Sequence, residues 1–174
     1  GVMQHDLNNE VLLMKIFWSY AKRDDTKPNH VTQLRNQFEI VASQCLGDDI
    51  DIFQDVTGLT WGSEWRQTLE NEVKQADIFV CILSPSYFNS KMCIQEVVWA
   101  MEANVRIHPI LYRACPKGFA SQFSDSDRDA VILNSASTEV VNKYQYADFT
   151  RLRNRAKDST EVLDFLDSIC EQIA

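Results

Sequence analysis

The stretch Asp77–Ser84, DIFVCILS, is apolar without interruption from Ile78 to Leu83 and is closed by Pro85. Six residues are too few for an amphipathic helix, and an unbroken apolar run cannot leave one strand face in water. The stretch therefore reads as a central parallel strand, covered by helices on both faces. The rest of the chain must then supply those helices and the flanking strands. The expected architecture is α/β: a central parallel sheet of about five strands with helices on both sides.

The neighbouring segments fit this requirement. Lys15–Tyr20 (KIFWSY) reads as the first strand. Val31, Leu34, Phe38, Val41 and Cys45 recur at helical spacing and predict a helix from about Asn29 to Leu46, stopped by Gly47. Asp49–Gln54 (DIDIFQ) alternates polar and apolar, as expected of a strand near an edge. Residues 55–62 form a loop with two glycines. Ser63 is a candidate N-cap for a helix burying Trp65, Leu69, Val73 and Ala76. Ser90 can cap a further helix reaching about Asn104, and 106–112 (RIHPILY) reads as the next strand despite its internal Pro109. The signal is weak from Arg113 to Phe149, where Ala130–Leu133 is the candidate fifth strand. Val162, Phe165, Leu166, Ile169 and Ile173 predict a closing helix.

A chain of 174 residues with no repeat, low-complexity tract or linker is expected to be one domain. Residues 1–12 are expected to be a flexible leading segment or a remnant of expression, because Gly1 stands where a starting methionine would. Five scattered cysteines without a C-x-x-C pair indicate reduced thiols and a cytoplasmic protein. A formal charge of −8 argues against nucleic acid or an anionic membrane as the partner, and no apolar run is long enough to span a bilayer.

Ligands of open parallel sheets bind beyond the carboxyl ends of the strands. Those ends gather Ser19, Tyr20, Lys22 and Arg23 from the first strand, Phe53 and Asp55 from the second, and Ser84 from the central one. The helix bearing Glu96 starts a few residues further on and borders the same crevice. Each residue also has an ordinary reading. Lys22 and Arg23 are the kind of side chain usually left in solvent, Phe53 can be core or rim, and Met92 and Trp99 can face the core. A helix glutamate such as Glu96 is more often surface charge than a catalyst. Familiar signatures are missing: there is no G-x-G-x-x-G, no P-loop, no nucleophile elbow, and no histidine at metal-ligand spacing. From residues alone the reading stops at an α/β domain with a polar crevice.

The segments KIFWSYAKRD (15–24), DIFQDVTGLTWGSEW (51–65), LENEVKQADIFVCILSPSYFNSKMCIQEVVWA (69–100) and IHPILY (107–112) occur in order and at family-like spacing. Together they resemble the Toll/interleukin-1 receptor (TIR) domain, specifically its bacterial NAD-cleaving branch. The resemblance implies a flavodoxin-like fold, with 1–174 a single domain; the weak residue signal leaves 113–150 as an irregular stretch. It makes the loop containing Gly58, Leu59 and Trp61 an assembly loop. The S-x-x-C-x-x-E pattern at 90–96 matches the segment holding the catalytic glutamate of the enzymatic members, so Glu96 is the implied catalyst. By position, Lys22 and Phe53 are implied to contact substrate, with Asp55, Ser19 and Tyr20 nearby. Many enzymatic relatives carry tryptophan where this chain has Met92; Trp99 is the candidate replacement surface.

The implied activity is cleavage of the nicotinamide–ribose bond of NAD+, which is substrate rather than cofactor, with no metal. It releases nicotinamide and ADP-ribose or a cyclic or conjugated relative. One carboxylate suffices, because the ribosyl centre develops oxocarbenium character while nicotinamide leaves without needing a proton. Implied partners are further TIR copies and a separate effector sensing the product, in bacterial anti-phage defence. The alternatives are a non-catalytic scaffold acting by homotypic assembly and, more remotely, a phosphorylation receiver suggested only by Asp24 and Asp25.

Overall fold

The computed structural model describes residues 13–56, 62–124, 126 and 128–174. At its centre lies β3 (Ile78–Leu83), buried at all six positions. It is flanked on one side by β1 (Leu13–Ser19) and then β2 (Asp49–Gln54). On the other side come β4 (Arg106–Leu111) and the two-residue β5 (Ala147–Asp148), all parallel, in the order β2-β1-β3-β4-β5. This is the α/β architecture that the central apolar run predicts, and it agrees with the flavodoxin-like fold that the resemblance implies. β1 starts two residues earlier than expected and ends at Ser19. Pro109 is tolerated inside β4 because that strand gains its second neighbour only at Ile110 and Leu111, so the proline sits where pairing is one-sided.

The period of two along β3 sorts its side chains into two cores. Phe79, Cys81 and Leu83 point into one layer, packed by α2 (Ser63–Gln75), the short α3 (Pro85–Phe88), α4 (Lys91–Glu102) and α5 (Ala130–Lys143). Ile78, Val80 and Ile82 point into the other, packed by α1 (His30–Leu46) and α6 (Thr160–Ile173). α1 ends as its sequence requires: Gly47 adopts a left-handed φ of 68° and its N–H closes on Ser43 O.

Two expectations are corrected. The N-cap of α2 is Gly62, with Ser63 already inside the helix. Ala130–Leu133 is not a strand but the first turn of α5. Four apolar residues cannot by themselves distinguish the two periods, and the helical one wins because Ala130, Leu133, Ala136, Ser137 and Val140 fall on one buried face. That choice leaves Val131 68% and Ile132 58% exposed. The fifth strand is instead Ala147–Asp148, too short to carry a periodic signal.

Candidate functional site

Chain direction across the sheet reverses between β1 and β3. The β1–β2 connection runs through α1 on one face, and the β3–β4 connection runs through α4 on the other. At such a point the two connections part and leave a crevice at the carboxyl ends of the strands. Ser19, the last residue of β1, and α4 meet there. Ser90 caps α4, its Oγ accepting from Cys93 N at 3.2 Å. The helix packs on the sheet through Cys93, Ile94, Val97 and Ala100, and Glu96, in its second turn, is turned inward with them and is only 6% exposed.

Ser19 Oγ donates to Glu96 Oε1 at 2.7 Å and lies 2.7 Å from the Tyr87 hydroxyl. A serine has one hydroxyl hydrogen. When Glu96 is ionised that hydrogen is committed to the carboxylate, and Tyr87, whose hydroxyl also lies 3.5 Å from Cys93 O, is then the donor to Ser19 in a chain Tyr87 → Ser19 → Glu96. Tyr87 is itself pinned, fully buried, with its backbone N donating to Ser84 Oγ at 3.0 Å. Burial is the main cause that raises the Glu96 carboxyl to about 8; the Ser19 hydrogen bond opposes this, Asp55 adds to it, and Lys22 opposes it. In the free protein at neutral pH, Glu96 is therefore mostly protonated.

Asp55 and Lys22 form the outer side of the same cluster. Lys22 Nζ lies 3.2 Å from Asp55 Oδ2, and the Tyr20 hydroxyl donates to Asp55 O at 2.7 Å. The structure thus brings Ser19, Tyr20, Lys22, Asp55 and Glu96 into one electrostatic unit. Phe53 does not join it by hydrogen bonding; it is partly buried and its ring stacks on Phe17, 5.3 Å between centroids. Trp99 is 3% exposed and lies in the apolar layer, with the Arg66 guanidinium 5.3 Å from its ring centroid. Met92 lines a recess of about 220 Å³ with Arg66, Gln95 and Leu133. Gly58, Leu59 and Trp61 lie outside the described residues.

Sequence reasoning missed Tyr87, whose only signal is its place three residues after a capping serine. It also passed over a second buried acid. Asp24 Oδ2 accepts from Ser84 Oγ, while Oδ1 sits 3.8 Å from Arg113 Nε. Burial raises the Asp24 carboxyl, and Ser84 and then Arg113 oppose the rise. Cys93 donates its thiol to Tyr20 O at 3.4 Å, and burial pushes it well above the ordinary thiol range, so it is no thiolate nucleophile at neutral pH. Among the described residues, no group of three or more side chains could hold a metal ion. None of the helices described is long and apolar enough to cross a membrane.

A family model described as TIR domain matches residues 16–163. Among solved structures, the fold is similar to the TIR domains of the activated Roq1 resistosome directly recognizing the pathogen effector XopQ. That match has a TM-score of 0.62 at 20% identity, covering 92% of this chain and 99% of that one. It is also similar to the TIR domain of the Toll-related receptor TRR-2 from Hydra magnipapillata, with a TM-score of 0.52 at 16% identity, covering 91% and 96%. At these identities the likeness is one of fold. A comparison with curated proteins returned no match.

Proposed function

The chain belongs to the TIR domain family, and on that premise we propose that it is an NAD+ nucleosidase with Glu96 as its catalytic carboxylate. The observation that carries the reading is the buried Glu96 carboxyl, held by Ser19 at the switch point of the sheet and raised to about 8. Burying an ionisable group in this way costs stability that an apolar residue would not, and such costs concentrate at reacting sites.

The chemistry follows from the charge. When the C1′–N bond breaks, its electron pair leaves with nicotinamide and neutralises the ring nitrogen, while positive charge develops on the ribosyl centre. The Glu96 carboxylate stabilises that charge in a site with few competing waters. Water adds at C1′ and its proton is released, with Glu96 as acceptor; the products are nicotinamide, ADP-ribose and a proton. Capture by a hydroxyl or the adenine of the same molecule gives a cyclic product instead. Because NAD+ brings a cationic ring toward a mostly protonated carboxyl, binding favours loss of the Glu96 proton.

This activity suits a bacterial defence system that depletes NAD+ or makes a nucleotide signal for a separate effector, with self-association of TIR copies as its control. The test is nicotinamide release from NAD+, followed by chromatography over a range of protein concentrations, beside Glu96→Gln. Release that rises steeply with concentration and disappears in the variant is the expected result. A variant as fast as the parent means Glu96 is misassigned. Silence from the parent at every concentration favours the non-catalytic scaffold.

A further inference from the structure

The loop after β5 carries Arg151, Arg153, Arg155 and Lys157 within seven residues, in a chain whose formal charge is −8. Local structure separates these four cations. Lys157 is only 6% exposed and is consumed by the backbone, its Nζ donating to Arg153 O at 2.9 Å and Arg155 O at 2.8 Å. Successive turns are closed by Leu152 N to Phe149 O and Arg155 N to Leu152 O, both at 2.9 Å, and by Ser159 N to Ala156 O at 3.0 Å. Thr150 is tied to Asp148 Oδ1 through both its N and its Oγ1. The loop is a built structure, and it turns Arg151 and Arg155 outward while holding Arg153 half-buried.

Arg153 and Arg113 both line an open recess of about 510 Å³, together with Pro85, Ala114, Pro116 and Thr150. That volume is within the range of small-molecule sites, and no acidic side chain lines it. Asp24 stands behind, spent on Ser84 and 3.8 Å from Arg113 Nε. Arg153 Nε is buried without a hydrogen-bond partner. The recess lies at the carboxyl ends of β3, β4 and β5, the edge of the sheet where this fold class takes ligands, but on the half away from Ser19 and β2.

We propose that the recess between Arg113 and Arg153 is a binding site for the phosphate or diphosphate group of a small molecule. Two guanidinium groups lining one recess supply the planar, multi-donor recognition that phosphate oxygens take, and the apolar lining of Pro85, Ala114 and Pro116 suits the body of a ligand. An otherwise anionic surface makes this local positive potential selective for anions that can reach into it. The site does not depend on the assignment of Glu96.

Calorimetric titration of the full chain with inorganic pyrophosphate, ADP and adenosine tests it, accompanied by amide NMR shifts. Pyrophosphate and ADP are expected to bind and adenosine alone is not. Stronger binding of ADP identifies a nucleotide as the source of the group, and equal binding identifies the free anion. Arg153→Gln and Arg113→Gln are each expected to weaken pyrophosphate binding roughly tenfold or more, and Arg151→Gln by less than about twofold. Shifts in the unmodified protein should centre on Ala114, Thr150 and Arg153, a readout independent of whether any variant folds. Equal losses in all three variants, or shifts centred on the Arg66 and Met92 recess, overturn the proposal.

Discussion

Two buried carboxyls lie along the same edge of the sheet, and each accepts a hydrogen bond from a serine at the end of a strand. Ser19 of β1 holds Glu96, and Ser84 beyond β3 holds Asp24. Their surroundings differ. Asp24 has Arg113 beside it, with Arg153 and Arg23 also drawing its carboxyl down. Glu96 has another acid, Asp55, working against the single cation Lys22, which is itself engaged by Asp55. Burial therefore penalises the charged form in both places, but at Asp24 the pairing is a latch whose penalty several cations offset in part, whereas at Glu96 the penalty stands with little relief. Cations around a buried acid serve the fold; withholding them leaves a carboxyl whose negative charge gains most when a cationic centre arrives.

The contrast is broken most directly through activity. Glu96→Gln keeps the shape and an acceptor for Ser19 while removing the charge, and nicotinamide release is expected to fall by about 10²–10³-fold or more. Asp24→Asn makes the same change in the latch and should alter turnover by less than about fivefold at matched folded fraction. Comparable losses in both variants would erase the distinction between the two acids.

Stability should respond in the opposite sense. The folded-state pKa of Glu96, about 8, lies above that of an unfolded glutamate, so its favourable contribution is complete below the unfolded value and is lost as pH rises through about 8. Glu96→Gln removes this loss. The variant is expected to be more stable than the parent by on the order of 5 kcal/mol at pH 9, with the difference nearly gone near pH 4. Denaturant melts at the two pH values measure it, and a pH-independent difference would mean that Glu96 does not titrate in this window.

Ser84 tests the latch itself, with a smaller effect. Its Oγ accepts from Tyr87 N and donates to Asp24, so Ser84→Ala uncaps α3 and strips a buried carboxyl of its donor. A loss of roughly 1–2 kcal/mol is expected, measured by the same melts. Since Tyr87 is the residue that Ser84 positions, the variant should also loosen the chain leading to Glu96.

Most of the sheet was legible because its strands obey one period at a time: DIFVCILS has no alternative to a doubly covered strand, and the α1 and α6 faces repeat cleanly. Legibility failed where a segment was too short for periodicity to decide. Ala130–Leu133 satisfies both periods over four residues, and Ala147–Asp148 has none. At the site, strand ends located Ser19, Lys22, Asp55 and Glu96, since topology alone brings them to one edge. It could not reveal that Glu96 points inward, because that depends on how the apolar side of α4 packs against the sheet. Nor could it reveal Tyr87 or the Asp24 latch, which exist only through side-chain contacts across the sheet.

The finest resolution of the comparison comes from the pH profile of nicotinamide release. If the carboxylate is the active form, kcat/KM rises with pH through about 8, the value of Glu96 in the free protein. Asp55 raises that value and Lys22 lowers it, so Asp55→Asn should move the midpoint to lower pH and Lys22→Met to higher pH. The two shifts should be unequal. The Asp55 side chain is only 9% exposed, whereas that of Lys22 is 40% exposed and its influence is more strongly screened by water and salt. Adding salt should therefore shrink the Lys22→Met shift first. Combining the substitutions removes opposing influences together, and the double variant should titrate close to the parent, slightly on the acid side. A double variant displaced further than either single one would show that Lys22 and Asp55 act on substrate rather than on the Glu96 proton.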